Sequence, residues 1–269
     1  MLNINKKNNQ KVALITGAAG LLGEIHSEAL LELNYTLIIT DINTKILKKR
    51  VKLLKKKFAK SNIFHFKLNV TSQKQIEKIH NIIKNKFGKL DVLINNAAID
   101  HKIDNNNKLT KKNEFENFNN KQWKKEIEVG LYGYYLCCKI FGSHMVKKKG
   151  GIILNISSDL SVIAPNQNLY EKKQKKPVTY SVIKTGVIGL TKYLASYWGS
   201  KGVRVNALSP GGVFNNQNKK FVKKIIELIP MRRMLNRDEI KGSIKFLCSN
   251  QSSYLNGHNL VLDGGRSII

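Results

Sequence analysis

Tyr180 and Lys184 are the residues whose types and spacing most directly suggest chemistry. They stand four positions apart in a segment with helical periodicity, so their side chains share one face of a predicted helix. A free tyrosine, with a pKa of about 10, is almost wholly protonated at neutral pH. An ammonium group within about 4–6 Å favours the phenolate and lowers that pKa, which would make Tyr180 a usable acid and base. Taken alone, the stretch also fits the ordinary start of an amphipathic helix.

Three glycines, Gly17, Gly20 and Gly23, follow a strand-like apolar run and lead into a helix-like stretch. Unpaired N–H groups and the positive end of the dipole make a helix N-terminus a ready anion site. Gly17 can take the positive φ that such a turn often demands, Gly20 lets the backbone approach a pyrophosphate, and Gly23 permits close packing of helix on strand. The spacing therefore predicts a dinucleotide phosphate site.

Asp41 stands at the end of the second predicted strand, 24 positions after Gly17. A carboxylate at this place can accept hydrogen bonds from the adenosine ribose hydroxyls and would repel a 2′-phosphate, so NAD is expected over NADP. The alternative is a turn residue or a helix N-cap, because Asn43 and Thr44 follow and could cap the next helix equally well.

Strand-length apolar runs alternate with helical segments along the whole chain. Such alternation predicts an α/β fold, a doubly wound parallel sheet of about seven strands with helices on both faces. The length of 269 residues suits a single domain over residues 1–269, in which residues 1–10 are predicted to be a flexible N-terminus. The predicted strands are residues 12–16, 36–40, 63–67, 92–95, 152–156, 203–208 and 260–262.

The formal charge of +29 is the most prominent feature of the composition. A basic surface can indicate nucleic acid, an anionic membrane or an acidic ligand. Only six of the 47 basic residues are arginine, the residue preferred for phosphate and base contacts, so we expect a solvated lysine surface and no specific nucleic-acid partner.

The cysteines, the histidines and the apolar runs limit which other classes of protein the chain could belong to. The three cysteines show no metal-ligand spacing, which favours free thiols in a reducing cytoplasm. The six histidines are scattered, so no metal site is expected. No apolar run approaches the ~20 residues that a membrane span requires, so no membrane partner is expected.

Six short motifs occur in a fixed order along nearly the whole chain: LNVT at 68–71, NNAA at 95–98, NISS at 155–158, YSVIK at 180–184, NALSPGGV at 206–213 and LVLDGG at 260–265. Together they resemble the short-chain dehydrogenase/reductase family. The resemblance implies a one-domain Rossmann fold, a nicotinamide cofactor, and oxidation of a hydroxyl or reduction of a carbonyl.

The resemblance also implies roles for individual residues. Ser158 would hold the substrate oxygen, Tyr180 would act as acid and base, and Lys184 would bind the nicotinamide ribose as well as lower the pKa of Tyr180. By position, Asn69 and Val70 would border the adenine. The remaining cofactor-binding residues implied are Leu22 in the helix after the glycine turn, Asn96 along the cofactor, and Val213, whose backbone would meet the nicotinamide carboxamide.

Three features depart from the family pattern. The middle glycine stands at position 20, as in extended members of the family. Compact members usually have it one position later, where this chain has Leu21. Gly130 occupies the place of a common asparagine, whose main-chain carbonyl serves a proton relay; glycine could preserve that relay, or the proton could leave by another path. Ser158 and Tyr180 are 22 positions apart, about ten more than in compact members.

The extra residues are a lysine-rich insertion around 170–176. It lies within an irregular stretch at 164–177, which we call the 164–177 insertion. Because both of its ends are fixed near the predicted site, we expect it to form part of a lid for a polar or anionic substrate. A second irregular stretch, at 100–120, is predicted as another substrate loop. A tolerated surface insertion is the alternative for both.

The leading hypothesis is an NAD-dependent oxidoreductase acting on a secondary alcohol or ketone of a polar, sugar-like substrate. The motif wording also resembles a branch linked to bacterial surface-sugar and sialic-acid-like pathways. The alternatives are a sugar-nucleotide epimerase or dehydratase with tightly held NAD, and a non-catalytic basic Rossmann protein that binds nucleic acid. The family resemblance implies a homodimer or homotetramer. An apolar stripe with Val187, Leu194 and Trp198 could serve that interface or plain core.

Overall fold

A computed structural model describes residues 10–99, 113–170 and 175–269. Seven strands and nine α-helices make up its regular structure in these ranges. The strands are β1 (Val12–Thr16), β2 (Thr36–Asp41), β3 (Ile63–Lys67), β4 (Val92–Asn95), β5 (Gly151–Ile156), β6 (Val203–Pro210) and β7 (Asn259–Leu262). The helices are α1 (Leu21–Glu32), α2 (Thr44–Lys57), α3 (Gln73–Phe87), α4 (Asn120–Ile127), α5 (Gly133–Cys137), α6 (Ser143–Lys147), α7 (Val178–Trp198), α8 (Lys219–Glu227) and α9 (Arg237–Leu247).

The strands form one parallel sheet in the order β3-β2-β1-β4-β5-β6-β7. The predicted α/β fold is confirmed, with helices on both faces. The strand order reverses between β1 and β4, and the carboxyl edge of a parallel sheet at such a reversal is where ligands bind in open α/β proteins. This edge carries the glycine turn after β1 and the segment after β5.

Two apolar clusters cover the two faces of the sheet. On one face, α1, α2 and α9 pack on alternate residues of the central strands, with Ile15, Ile39 and Ile94 wholly buried between them. On the other face, α3, α5 and α7 pack on the remaining residues, such as Leu14 and Leu93. The central strands β1, β2 and β4 are buried on both faces and apolar almost throughout, whereas the edge strands β3 and β7 are partly exposed.

The strand predictions are confirmed with small changes in length. β1, β3 and β4 have the predicted bounds, whereas the other four strands begin or end one or two residues further out. Between α4 and α6 the helix is wound more loosely in two π-helical stretches, Glu128–Tyr132 and Cys138–Gly142. In the described residues, none of the helices combines the length and apolar character of a membrane span.

Parts of three predicted segments lie outside the described residues. These are positions 1–9 of the predicted flexible N-terminus, 100–112 of the predicted loop at 100–120, and 171–174 of the 164–177 insertion. Gln10 is described, and its side chain donates a hydrogen bond to the carbonyl of Asn34 at 2.7 Å.

The apolar stripe of α7 belongs to the core. Val187, Leu194 and Trp198 are buried inside the molecule, so of the two interpretations the plain core is the one observed. A neighbouring face of α7 exposes Tyr193 and Tyr197, whose rings stack with centroids 5.8 Å apart.

Candidate active site

The glycine turn has the geometry that its spacing predicts. Gly17 has φ +65°, a conformation that side chains disfavour, and a Cβ at this position would lie 2.7 Å from the Cα of Ala97. The side-chain amide of Asn96 donates to the carbonyls of Thr16 and Gly17 at 3.1 and 2.9 Å. The turn after β1 is therefore fixed against the residues that follow β4.

Gly20 and Gly23 differ in what surrounds them. Gly20 is the N-cap of α1, and a Cβ there would meet only the carbonyl of Gly17, at 3.6 Å. A Cβ on Gly23 would lie 2.5 Å from the Cα of Ala18, so the close approach at this glycine is to the turn itself. The space above Gly20 is what a phosphate group would need in order to approach the backbone.

The carboxylate of Asp41 joins the end of β2 to the glycine turn. Its Oδ2 accepts a hydrogen bond from the amide of Ala19 at 3.0 Å, and its Oδ1 accepts one from the amide of Asn43 at 2.8 Å. Asn43, not Asp41, caps α2, by accepting from the amide of Ile46. Asp41 therefore ends β2 beside the glycine turn, and its contact with a ribose stays a prediction.

Three other predicted cofactor residues, Leu22, Val70 and Val213, are held by contacts within the protein. Leu22 packs partly buried against the cluster beneath α1. Val70 is buried against Gly133 of α5, so any contact with adenine would be made by its backbone or by Asn69. The carbonyl of Val213 accepts a hydrogen bond from Gln217 Nε2 at 2.7 Å.

Ser158 begins the turn that follows β5 and is buried. Its hydroxyl donates to Asp159 Oδ1 at 2.9 Å and accepts from the amide of Leu160 at 3.3 Å. The preceding Ser157 donates to the carbonyl of Lys184 at 2.8 Å, which holds this turn against α7. The structure therefore brings Ser158 next to the helix that carries the predicted base.

Tyr180 and Lys184 lie in the first two turns of α7. The Nζ of Lys184 is 5.7 Å from the centroid of the Tyr180 ring, as the four-residue spacing predicts. Lys184 is buried, and its Nζ donates to the carbonyl of Ile156 at the end of β5, at 2.9 Å. Tyr134 donates to the same carbonyl at 3.2 Å, and burial raises the pKa of its phenol, so it stays a donor.

The sequence did not reveal two charged features beside this site, a lysine and a buried ion pair. The Nζ of Lys176, in the 164–177 insertion, lies 3.7 Å from the centroid of the Tyr180 ring. Arg266 donates to Asp159 Oδ2 at 2.8 Å, and both side chains of this ion pair are buried. The lysine-rich character of the insertion was visible in the sequence, but no spacing signal connects Asp159 with a residue 107 positions away.

Gly130 lies in the first π-helical stretch and faces α7. A Cβ here would lie 2.8 Å from Cγ2 of Ile183, the residue before Lys184. An asparagine at this position would therefore require Ile183 to move. The glycine allows Ile183 to occupy that space, and the proton relay through the carbonyl of Gly130 stays a prediction.

The 164–177 insertion is anchored at both of its described ends. The side chain of Gln167 makes two hydrogen bonds to the backbone of Lys176. Its Oε1 accepts from the amide at 3.0 Å and its Nε2 donates to the carbonyl at 3.4 Å. Leu169 is buried in a small cluster with Ile225 of α8, and with Ile229 and Met234 beyond that helix. The described part of the insertion thus packs through Leu169 on the α8 region, which follows β6 at the same edge of the sheet.

Comparison with known proteins supports this picture. A family model described as enoyl-(acyl carrier protein) reductase matches residues 17–267. The chain is 33% identical over 263 residues to the 3-oxoacyl-[acyl-carrier-protein] reductase FabG of Buchnera aphidicola subsp. Baizongia pistaciae, covering 96% of this chain and 98% of that protein. It is 30% identical to the NAD-dependent glycerol dehydrogenase of Listeria innocua serovar 6a, covering 96% and 94% of the two chains.

Among solved structures, ElxO with NADP bound is 29% identical and superposes with a TM-score of 0.83, over 97% of this chain and 100% of that chain. The chain belongs to the short-chain dehydrogenase/reductase family, and it is an oxidoreductase of that family. The predicted family resemblance is confirmed.

Proposed function

We propose that the protein transfers a hydride between NAD and a secondary alcohol or ketone of a polar substrate. The observation that carries this proposal is the cluster of side chains after the end of β5 and at the start of α7. Ser158 starts one element, and Tyr180 and Lys184 start the other. The two elements are joined by the bonds of Lys184 Nζ to Ile156 and of Ser157 to the Lys184 carbonyl.

Each residue of the cluster has a chemical role in this proposal. Loss of a hydride from an alcohol requires that the hydroxyl proton also leaves, so a base must stand at the reacting oxygen. Tyr180 supplies that base, and the nearby ammonium of Lys184 stabilises its phenolate form. Ser158 holds the substrate oxygen. NAD would supply the hydride acceptor when bound. The turn at Gly20 would hold its pyrophosphate, and Lys184 would hold its nicotinamide ribose.

The preference for NAD rests on Asp41. Its carboxylate stands beside the glycine turn, where the 2′-phosphate of NADP would add a second negative charge. The glycerol dehydrogenase relative is NAD-dependent by name, whereas the ElxO structure holds NADP, so the cofactor has to be measured. Calorimetric titration should give a lower Kd for NAD than for NADP. In Asp41→Asn the ratio of the two Kd values should fall several-fold. Tighter binding of NADP by the unmodified protein would contradict the assignment.

A substrate screen tests the reaction itself. Polyols, sugars, nucleotide sugars, simple alcohols and 3-oxoacyl thioesters should be compared for NADH formation or consumption. The thioesters are included because the FabG relative is a 3-oxoacyl reductase by name. We expect turnover with a polyol or sugar, and a loss of at least about 100-fold in Tyr180→Phe, since general acid–base catalysis contributes about 10²–10⁴-fold. Tightly bound NAD without net NADH formation would favour epimerase or dehydratase chemistry.

We also infer a single-domain homodimer or homotetramer that works in the reducing cytoplasm. Two exposed stacked pairs, Tyr132 with Tyr135 and Tyr193 with Tyr197, offer aromatic surface for association. All three cysteines are free and buried, and burial raises the pKa of Cys138 and of Cys248 to about 12. Light scattering tests the assembly: a mass of one chain at micromolar concentration would contradict it.

A further inference from the structure

The ammonium of Lys176 lies over the ring of Tyr180, with its Nζ 3.7 Å from the ring centroid. This distance is well inside the ~6 Å within which a cation is attracted to an aromatic face. The contact joins the 164–177 insertion to the residue that we propose as acid and base. The insertion therefore places a charge against the ring on which the proposed chemistry depends.

The backbone that carries Lys176 is held on both sides. Its amide and carbonyl both bond to the side chain of Gln167. The preceding carbonyl, of Lys175, accepts from Asn113 Nδ2 at 3.3 Å, and Pro177, which follows, is buried as the N-cap of α7. Because these contacts fix the main chain, Lys176 has to order only its own side chain in order to reach the ring.

Among the described residues, charged and titratable groups approach Tyr180 from several elements. Lys184 lies one turn further along the same helix, with its Nζ 5.7 Å from the ring centroid. Glu126 of α4 accepts a hydrogen bond from the hydroxyl of Thr179, the residue before Tyr180. The other groups are Tyr134, whose phenol burial keeps protonated, and Asp159 with Arg266, whose charges compensate each other.

A cation over the ring affects the two forms of the phenol unequally. A neutral phenol attracts it only through the ring quadrupole, whereas a phenolate carries a full negative charge that is shared between the oxygen and the ring. The attraction is therefore stronger for the phenolate, and Lys176 favours loss of the phenol proton. Lys184 acts in the same direction, and Glu126 is the same in every variant of Lys176.

We propose that Lys176 is a positioning residue that acts through Tyr180: its ammonium, held over the ring by the insertion, lets the phenolate form at a lower pH than Lys184 alone would allow. This inference rests on the proposed function, because it concerns the same acid and base. It gives the insertion a part in the chemistry in addition to the predicted part of a lid.

A titration of the protein alone tests the contact without a substrate. Phenolate absorbs ultraviolet light at longer wavelength than phenol, and comparing each protein with its own Tyr180→Phe counterpart isolates this residue among the nine tyrosines. In Lys176→Met the midpoint should lie about 0.5–1 pH unit above that of the wild type, as a cation–ring contact of ordinary strength requires. Lys176→Arg keeps a cation that stacks on rings and should stay near the wild type.

Two further variants separate the contact from the general charge of the insertion. Lys175→Met removes an equal charge from the neighbouring position and should leave the midpoint where it is in the wild type. Gln167→Met removes both bonds to the backbone of Lys176 and should raise the midpoint by a smaller amount than Lys176→Met. A midpoint in Lys176→Met no higher than in the wild type, or an equal shift in Lys175→Met, would overturn the proposal.

The pH dependence of turnover extends the test to the reaction. Oxidation of an alcohol requires the phenolate, so the acidic limb of kcat/KM should move to higher pH in Lys176→Met. Above that limb both proteins hold phenolate, and the variant should approach the wild-type rate, whereas damage to the fold would lower the rate at every pH. An unmoved titration midpoint would sink the inference while leaving the proposed function intact. Conversely, full activity of Tyr180→Phe would contradict the proposed function, whatever the titration shows.

Discussion

The two halves of the sheet edge are held together by different means. Around β1, β2 and β4, the turn after β1 is fixed by the conformation of its glycines and by partly buried side chains that bind the backbone. Asn96 binds the carbonyl of Gly17, and Asp41 binds the amide of Ala19. Around β5 and α7, buried charges do this work: Lys184 binds the carbonyl of Ile156, and Arg266 pairs with Asp159.

This difference matches the roles that we propose for the two halves. A phosphate-binding turn needs exposed backbone N–H groups in a fixed array, and such an array follows from local chain geometry. A site that moves a proton needs groups whose charge and hydrogen-bond direction are set, and those properties come from neighbours distant in sequence. We therefore call the first region the cofactor half and the second the substrate half.

The largest expected effect comes from splitting the buried ion pair of the substrate half. Arg266→Met leaves Asp159 buried without its cation and should lower the free energy of unfolding by about 3–5 kcal/mol. Asp159→Leu with Arg266→Met removes both charges and should recover most of that loss. Urea denaturation measures both. If the double variant is no more stable than the single one, buried charge is not what makes this half sensitive.

A smaller effect is expected from the glycines of the cofactor half. Gly17→Ala forces a side chain into positive φ and into Ala97, and should cost about 2–3 kcal/mol of unfolding free energy. Gly20→Ala meets no such barrier and should stay within about 1 kcal/mol of the wild type, yet weaken cofactor binding by covering the backbone. Urea denaturation and calorimetric titration separate the two. Equal stability losses would refute the distinction.

The smallest effect concerns His26 in α1, a wholly buried side chain whose ring nitrogens have no hydrogen-bond partner among the described residues. Burial lowers its pKa to about 3, from an ordinary value near 6.5. The unfolded chain therefore takes up a proton first, and stability is lost as the pH falls below about 6.5. His26→Leu should remove about 2 kcal/mol of the decline between pH 7 and pH 5.

The control for this prediction is His65→Leu, a change at an exposed position. Burial also lowers the pKa of His80 and His144, so part of the decline should remain in every variant. An identical pH dependence in His26→Leu and the wild type would show that His26 does not contribute to the acid sensitivity of the cofactor half.

Most of the fold could be predicted because its signals are local. Three of the seven strands have the predicted bounds. Two of them, β1 and β4, are wholly buried runs that polar or turn residues delimit, and β3 alternates apolar with exposed polar residues. The glycine turn and the proximity of Tyr180 to Lys184 follow from spacing within one or two turns of helix. These features depend on interactions that a short stretch of sequence already specifies.

The rest depends on contacts between distant segments. Nothing near Asp159 indicates that Arg266, 107 positions further along the chain, would reach it. The stripe of α7 was ambiguous because apolar spacing is the same for a core face and for an interface. Composition and periodicity cannot decide such questions, since they depend on how the chain closes on itself.

The two hydrogen bonds between Gln167 and the backbone of Lys176 have a consequence for how this chain could change over time. Because one amide side chain joins the two positions, an insertion or deletion among the eight residues between them would leave Gln167 and Lys176 bonded to each other. We therefore expect this interval to tolerate changes of length more readily than the segments that carry Ser158 and Tyr180.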